Sequence, residues 1–226
     1  MMPARPILFQ SPNSRIATNT NEKEIASMAE FCLNRVTIRH KDPRMMKRLL
    51  DAYARGAVCR EFLPLPTGVN ASVNWAVYNW GTKWDFGVGE LGDPAVTLGN
   101  GAAKLDFHTA WSPPLGLYVE LIEQGFEIEV RYCELSEGFC GRVDQRRIRH
   151  FEIRSGNFSK IQKHVDAVLI EEFGLDDFYA DEEDEEDDDG SGSPWVTDMD
   201  LATFERDRAE HYAAFVENMK QFKVDS

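Results

Sequence analysis

Three stretches of this chain alternate apolar and polar residues step by step, and that pattern constrains the fold more than any other feature. In 126–133, Phe126, Ile128, Val130 and Tyr132 fall on one side, with Glu127, Glu129 and Arg131 on the other. From Ala103 onward, Leu105, Phe107, Thr109 and Trp111 oppose Lys104, Asp106 and His108. In 32–40, Val36 and Ile38 oppose Arg35, Thr37 and Arg39. A period of two residues puts successive side chains on opposite faces of a strand. Three such strands therefore present one apolar face to a core and one polar face elsewhere, which is antiparallel-sheet behaviour.

Helical punctuation lies between them. Asp42 and Pro43 suit an N-cap and first turn, and Met46, Leu49, Leu50 and Tyr53 follow at helical spacing, so a helix is expected over about 43–55. Ser112, Pro113 and Pro114 open a second helix with Leu115, Tyr118 and Ile122 on one stripe, ended by Gly125. Phe62-Leu63-Pro64-Leu65-Pro66-Thr67-Gly68 reads as loop, the aromatic-rich stretch near 77–84 as a strand, and 139–144 with 147–153 as a hairpin. A third helix is expected over about 158–173, closed by Gly174. The order β-α-β-β-α-β with an added hairpin predicts an α+β fold of the ferredoxin-like split β-α-β type, with its helices on one sheet face.

Charge divides the chain. Residues 1–170 carry 21 bases and 19 acids, 171–189 carry 13 acids and no base, and 190–226 carry 4 bases and 7 acids, which sums to the net −14. Nine consecutive acids at 181–189, followed by Gly190-Ser191-Gly192-Ser193, cannot bury a core against their own repulsion. The expected organisation is a disordered tail over 1–24, a domain over 25–175, an acidic Gly/Ser linker over 176–196, and an amphipathic helix over 197–226. That helix opens on a Thr197-x-x-Asp200 capping box and carries Leu201, Phe204, Tyr212, Phe215, Met219 and Phe222 on one side. No apolar run reaches the roughly 18 residues needed to cross a bilayer. The region up to Asn21 has no apolar stretch of signal-peptide length, so no membrane association is expected. The four cysteines, Cys32, Cys59, Cys133 and Cys140, contain no CxxC pair, and reduced thiols in a cytoplasm are expected.

Several segments coincide with a known pattern. They are Phe31-Cys32-Leu33-Asn34-Arg35-Val36-Thr37, then Asn79-Trp80-Gly81-Thr82-Lys83-Trp84-Asp85, then Phe107-His108-Thr109-Ala110-Trp111-Ser112-Pro113-Pro114, with Tyr132-Cys133-Glu134 and Gly138-Phe139-Cys140-Gly141 downstream. Over about 30–154 the chain resembles the YubB ferredoxin-like domain family of plasmids, phages and integrative elements. The resemblance implies a ferredoxin-like fold without an iron–sulfur cluster and an origin on a mobile element. It implies no catalytic residues.

The candidate binding residues are Trp80, Lys83, Trp84, Asp85 and Trp111, joined by His108 and Glu134. Aromatics with one cation and one carboxylate suit a flat or anionic ligand; equally, the tryptophans could anchor a small sheet with Lys83 and Asp85 paired at the surface. A zinc set would need His108, Cys133, Cys140 and Glu134, but the cysteines are seven apart and form no short chelating pair, so no metal and no cofactor is expected. Arg142, Arg146, Arg147 and Arg149, continued by Arg154, Lys160 and Lys163, suit an anionic or acidic partner, or else a charged edge strand that resists unwanted pairing. Glu127 and Glu129 on the polar sheet face would repel phosphate, so direct nucleic-acid binding is not expected.

No nucleophile elbow, P-loop or dinucleotide glycine pattern occurs. The expected function is a non-enzymatic accessory protein of a mobile element, acting by binding to a host or element-encoded protein. Two alternatives stand beside it. One is an acidic interaction protein that neutralises a host defence or nucleic-acid-binding protein. The other is a small-ligand binder or enzyme using Trp80, Lys83, Trp84 and Trp111.

Overall fold

The computed structural model describes residues 31–65, 73–89, 91–153, 158–180 and 196–224. The expected tail over 1–24, the acidic run 181–189, and Arg154 lie outside these residues.

One seven-stranded antiparallel sheet organises the chain. Its strands are β1 (Phe31–Arg39), β2 (Val96–Thr97), β3 (Ala103–Ala110), β4 (Glu127–Glu134), β5 (Phe139–Val143), β6 (Arg147–Glu152) and β7 (Val196–Asp200). They lie in the order β2-β3-β1-β4-β5-β6-β7. Because β3 and β4 each pair antiparallel with β1, they run parallel to one another on its two sides. A helix, Leu115–Glu123, crosses between them.

The helices, in chain order, are α1 (Pro43–Ala54), α2 (Val58–Phe62), α3 (Val73–Asn79), α4 (Leu115–Glu123), α5 (Phe158–His164), α6 (Ala167–Phe173), α7 (Leu175–Phe178) and α8 (Leu201–Val224). Asp42 caps α1 by accepting from the Arg44 N–H at 2.9 Å. Among the described residues, no helix is long and apolar enough to cross a membrane.

Two cores form, one on each face of the sheet. The first packs Val36, Ile38, Leu105, Phe107, Ile128, Val130 and Tyr132 against Met46, Leu49 and Tyr53 of α1 and Leu117, Tyr118 and Leu121 of α4. Asn34, buried on this face, is fully engaged: its amide donates to Thr109 Oγ1 at 2.8 Å, and its carbonyl accepts from the Tyr118 hydroxyl at 2.8 Å. Satisfied polar groups of this kind fix one arrangement of the surrounding core. The second core joins Cys133, Cys140 and Phe151 to Ile161, Val165, Leu169, Leu175 and Tyr179.

Four expectations are corrected. Helices cover both sheet faces, because β4, β5 and β6 are apolar on both sides at one end and α5 to α7 close the second side. The third helix is broken: Val165 and Asp166 separate α5 from α6. The aromatic stretch near 77–84 is the end of α3 followed by a turn, since Trp75, Ala76 and Trp80 bury at helical spacing. At the C-terminus, 196–200 pairs with β6 as β7, and the helix starts at Leu201. Its cap is Asp200, which accepts from the Thr203 N–H at 2.8 Å, three residues later than the expected Thr197.

The C-terminal helix docks on the body. Leu201, Phe204 and Tyr212 pack against the first core, and Arg208 Nη1 donates to the Asn79 carbonyl at 2.8 Å. The side chains of Phe215, Met219 and Phe222 lie outside the described set. At the same place α4 passes α3 with backbone in contact: a Cβ on Gly116 would sit 1.9 Å from the Asn79 oxygen. Glycine is the residue that fits such a crossing.

Candidate functional site: a lysine between two exposed tryptophans

Two loops meet at the end of the sheet, one following α3 and one joining β3 to α4. Trp80 anchors the first from inside. It is 5% exposed, meets Trp75 edge-on at 5.6 Å, and donates Nε1–H to the Leu63 carbonyl at 2.7 Å. Gly81 then turns at φ +92°, where a Cβ would strike the Leu115 nitrogen at 2.7 Å.

Hydrogen bonds stitch this loop to the second. Thr82, fully buried, donates Oγ1–H to the Ala110 carbonyl at 3.0 Å. Ser112 donates Oγ–H to the Gly81 carbonyl at 2.5 Å. Thr109 donates Oγ1–H to the Ser112 carbonyl at 2.8 Å. Between these bonds, Trp111 is held at φ +75°, the only positive φ at a non-glycine position among the described residues. A bulky side chain in that conformation carries strain of about 1–3 kcal/mol and persists only where its surroundings impose it. Here the bonds made by residues 109, 110 and 112 do so.

The stitched loops present one cation to two rings. Lys83 Nζ lies 4.6 Å from the Trp84 ring centroid and 4.5 Å from that of Trp111. Both indoles are 36% exposed. Each aromatic face attracts the ammonium through its quadrupole. Among the described residues, Lys83 faces these two rings and no carboxylate.

Asp85 takes no part in this slot. Its side chain is 8% exposed. It accepts from the backbone N–H of Cys59 at 2.8 Å, of Phe86 at 3.0 Å and of Arg60 at 3.1 Å, so it caps the start of α2 from a distance. Of the expected set, Lys83, Trp84 and Trp111 come together at the surface, while Trp80 and Asp85 are structural supports.

Glu134 is also structural. It is buried and accepts from Ser136 Oγ at 2.5 Å and the Ser136 N–H at 3.3 Å. His108 is exposed on the second sheet face beside Phe31. Strand β1 separates His108 from Cys133, because each of them pairs with Leu33. The residues considered for zinc are therefore not gathered, and no group of metal-ligating side chains occurs among the described residues. Burial pushes the Cys133 thiol up to about 12 and raises the thiols of Cys32, Cys59 and Cys140 as well. A thiol held protonated is a poor nucleophile.

The basic cluster belongs to a longer row that sequence reasoning did not assemble. Cross-strand register aligns Asp106, Arg35, Arg131, Arg142, Arg149 and Asp198 across the second face. Carboxylates of the α5–α6 segment lie over it. Glu172 bridges Arg35 at 3.3 Å and Arg131 at 2.8 Å. Asp166 sits 2.8 Å from Arg142 Nε, though without an aligned hydrogen bond, and 3.6 Å from Arg149. Asp198 reaches Arg147 at 2.9 Å. Arg146 is exposed at the hairpin turn. A cleft of about 200 Å³ beside the row is lined by Arg35, Lys104, Asp106, Glu129, Arg131 and Glu172 among others. Its arginines are already engaged by acids, so the row docks α6 and β7. The available signal was the outward arginine on β1 and on β4; the register that aligns them is a tertiary property.

No family model, curated protein or solved structure matches this chain.

Proposed function

We propose that this chain is a non-enzymatic accessory protein of a mobile genetic element that acts by binding a protein partner, and that Lys83, Trp84 and Trp111 are its contact point. One observation carries this reading. A lysine ammonium is held 4.6 and 4.5 Å from two exposed indoles, on loops rigid enough to impose positive φ on one of them. Exposed tryptophans with a fixed cation resemble the residues that dominate protein interfaces. A protein is favoured over nucleic acid because the second sheet face, where α5 to α7 leave it exposed, carries Asp106, Glu127 and Glu129 among its bases.

A ferredoxin-like reading of the fold belongs to the same proposal. The order β4-β1-β3-β2, with β3 and β4 parallel around β1, supports two interleaved β-α-β units extended by β5, β6 and β7. Membership of the YubB ferredoxin-like family belongs to this proposal and rests on the segments that carry the resemblance. A cytoplasmic setting is supported by Cys133 and Cys140, which pair directly across the strands as free thiols.

The test is affinity capture from host cytosol with the full chain. A protein recovered by the wild type should be lost with Lys83→Met and Trp84→Ala and retained with Lys104→Glu, which alters the cleft instead. Equal recovery by all four proteins would refute the contact point.

A further inference from the structure

We propose that the Lys83–Trp84–Trp111 slot reads an aromatic side chain lying beside a carboxylate on a peptide partner. The inference rests on the reading of these residues as the contact point and adds the chemistry they recognise.

Three features of the slot select that ligand. The first is its resident charge. An ammonium already faces both indoles at about 4.5 Å, so a second cation meets like-charge repulsion there. An anion is attracted instead. The second is donor capacity. A lysine ammonium carries three N–H groups, and cation–π contact with ring faces uses none of them as a directed bond to an acceptor atom. Most other cations described here face an acid: Arg35 and Arg131 face Glu172, Arg60 faces Asp85, and Arg147 faces Asp198. Lys83 faces rings alone among the described residues, which leaves it able to donate to an incoming carboxylate.

The third feature is shape. The two indoles are each about one-third exposed and are fixed in place by bonds that cross between their loops: Thr82 to Ala110, and Ser112 to Gly81. A flat ring packing on a fixed indole gains apolar contact and a stacked or edge-on geometry with little ordering cost. The strain at Trp111 has the same sense. A glycine at 111 would meet the turn's backbone demands without that cost, and only the indole supplies a ring to Lys83 and to the surface.

The experiment follows the indole N–H resonances of the isotope-labelled full chain in NMR titrations. Four probes are used: N-acetylphenylalanine, its uncharged amide, N-acetylalanine, and the peptide acetyl-Glu-Phe-amide. The expected result is saturable shifts at Trp84 and Trp111 with N-acetylphenylalanine and with the peptide. Removing the charge or the ring from the ligand should weaken binding roughly tenfold or more, the scale of one charge-assisted bond or one ring contact. Lys83→Met should lose the preference for acid over amide, and Lys83→Arg should restore it.

Absence of saturable shifts with every probe overturns the proposal, as does equal binding by wild type and Lys83→Met. Binding of the free acid without the peptide would identify a small metabolite as the ligand and overturn the peptide assignment. If the probes fail while Lys83→Met and Trp84→Ala still abolish partner capture, the ligand chemistry is wrong and the contact point stands. If capture also survives those substitutions, both readings fall.

Discussion

Thr82 donates its side-chain hydroxyl to the carbonyl oxygen of Ala110 at 3.0 Å, across 28 positions of sequence. This bond joins the loop that carries Lys83 and Trp84 to the one that carries Trp111. Thr82→Val keeps the volume and removes the donor, leaving a buried carbonyl short of a partner. The expected cost is about 1–3 kcal/mol, read as a lower urea midpoint. Increased solvent access of the Trp84 and Trp111 indole N–H groups should accompany it. Unchanged stability would show that the loops are joined by other means.

His150 gives the stability a pH dependence. It is buried between Tyr132 and Phe139, and its Nδ1 shares a hydrogen bond with the Tyr132 hydroxyl at 3.1 Å. Burial lowers its pKa from the usual 6.5 of a histidine to about 4. The unfolded chain therefore binds a proton that the folded chain refuses between those two values. The contribution is fully present above about pH 6.5 and is lost as pH falls toward 4, amounting to roughly 3 kcal/mol at most. Urea unfolding at pH 7 and pH 4.5 measures it. The double substitution His150→Phe with Tyr132→Phe, which removes both polar groups, should reduce the difference between the two conditions.

Glu172 holds two arginines that face each other across β1 and β4. Glu172→Gln should leave them repelling and destabilise the protein by about 1–2 kcal/mol, a modest value because the arginines are about one-third exposed. The deficit should shrink in high salt, which screens the repulsion. Unfolding at 50 mM and 500 mM sodium chloride checks this. A deficit that does not change with salt would argue that the pair acts through packing alone.

Truncation after residue 180 removes β7 and α8 together. It uncovers the ladder edge of β6 and the apolar surface now under Leu201, Phe204 and Tyr212. An exposed edge beside apolar surface invites pairing between copies. Size exclusion with light scattering should show self-association or a lower melting temperature. A monomer of unchanged stability would show that the C-terminal helix contributes nothing in cis.

Local pattern made much of this protein readable. Strands β1, β3 and β4 follow from alternation, the β5–β6 hairpin from its turn, α1 from its Asp42 cap and apolar stripe, and α4 from its stripe alone, since Ser112 bonds the Gly81 carbonyl and caps nothing. The errors came where local pattern was ambiguous. Aromatic residues at 75–84 suit a strand by composition, yet Trp75, Ala76 and Trp80 bury from a helix and the turn that ends it. Thr197 and Asp200 fit a capping box, but the open edge of β6 takes 196–200 as a strand first. The second helical layer was hidden because Cys133, Cys140 and Phe151 look like ordinary strand residues until the sheet aligns them.

The candidate site divides in the same way. Sequence alone singled out Lys83, Trp84 and Trp111 by residue type, but it read 77–84 as a strand and Trp111 as a continuation of the alternation from Ala103, whereas all three residues sit in loops. Tertiary structure decided that these three share a slot, that Asp85 is turned away to cap α2, and that four arginines lie in one line. The physical reason is that a backbone fixes the direction of a side chain over a few residues only. Which distant loops become neighbours depends on strand register and on the cross-loop hydrogen bonds of Thr82 and Ser112, and these form only once the sheet has assembled.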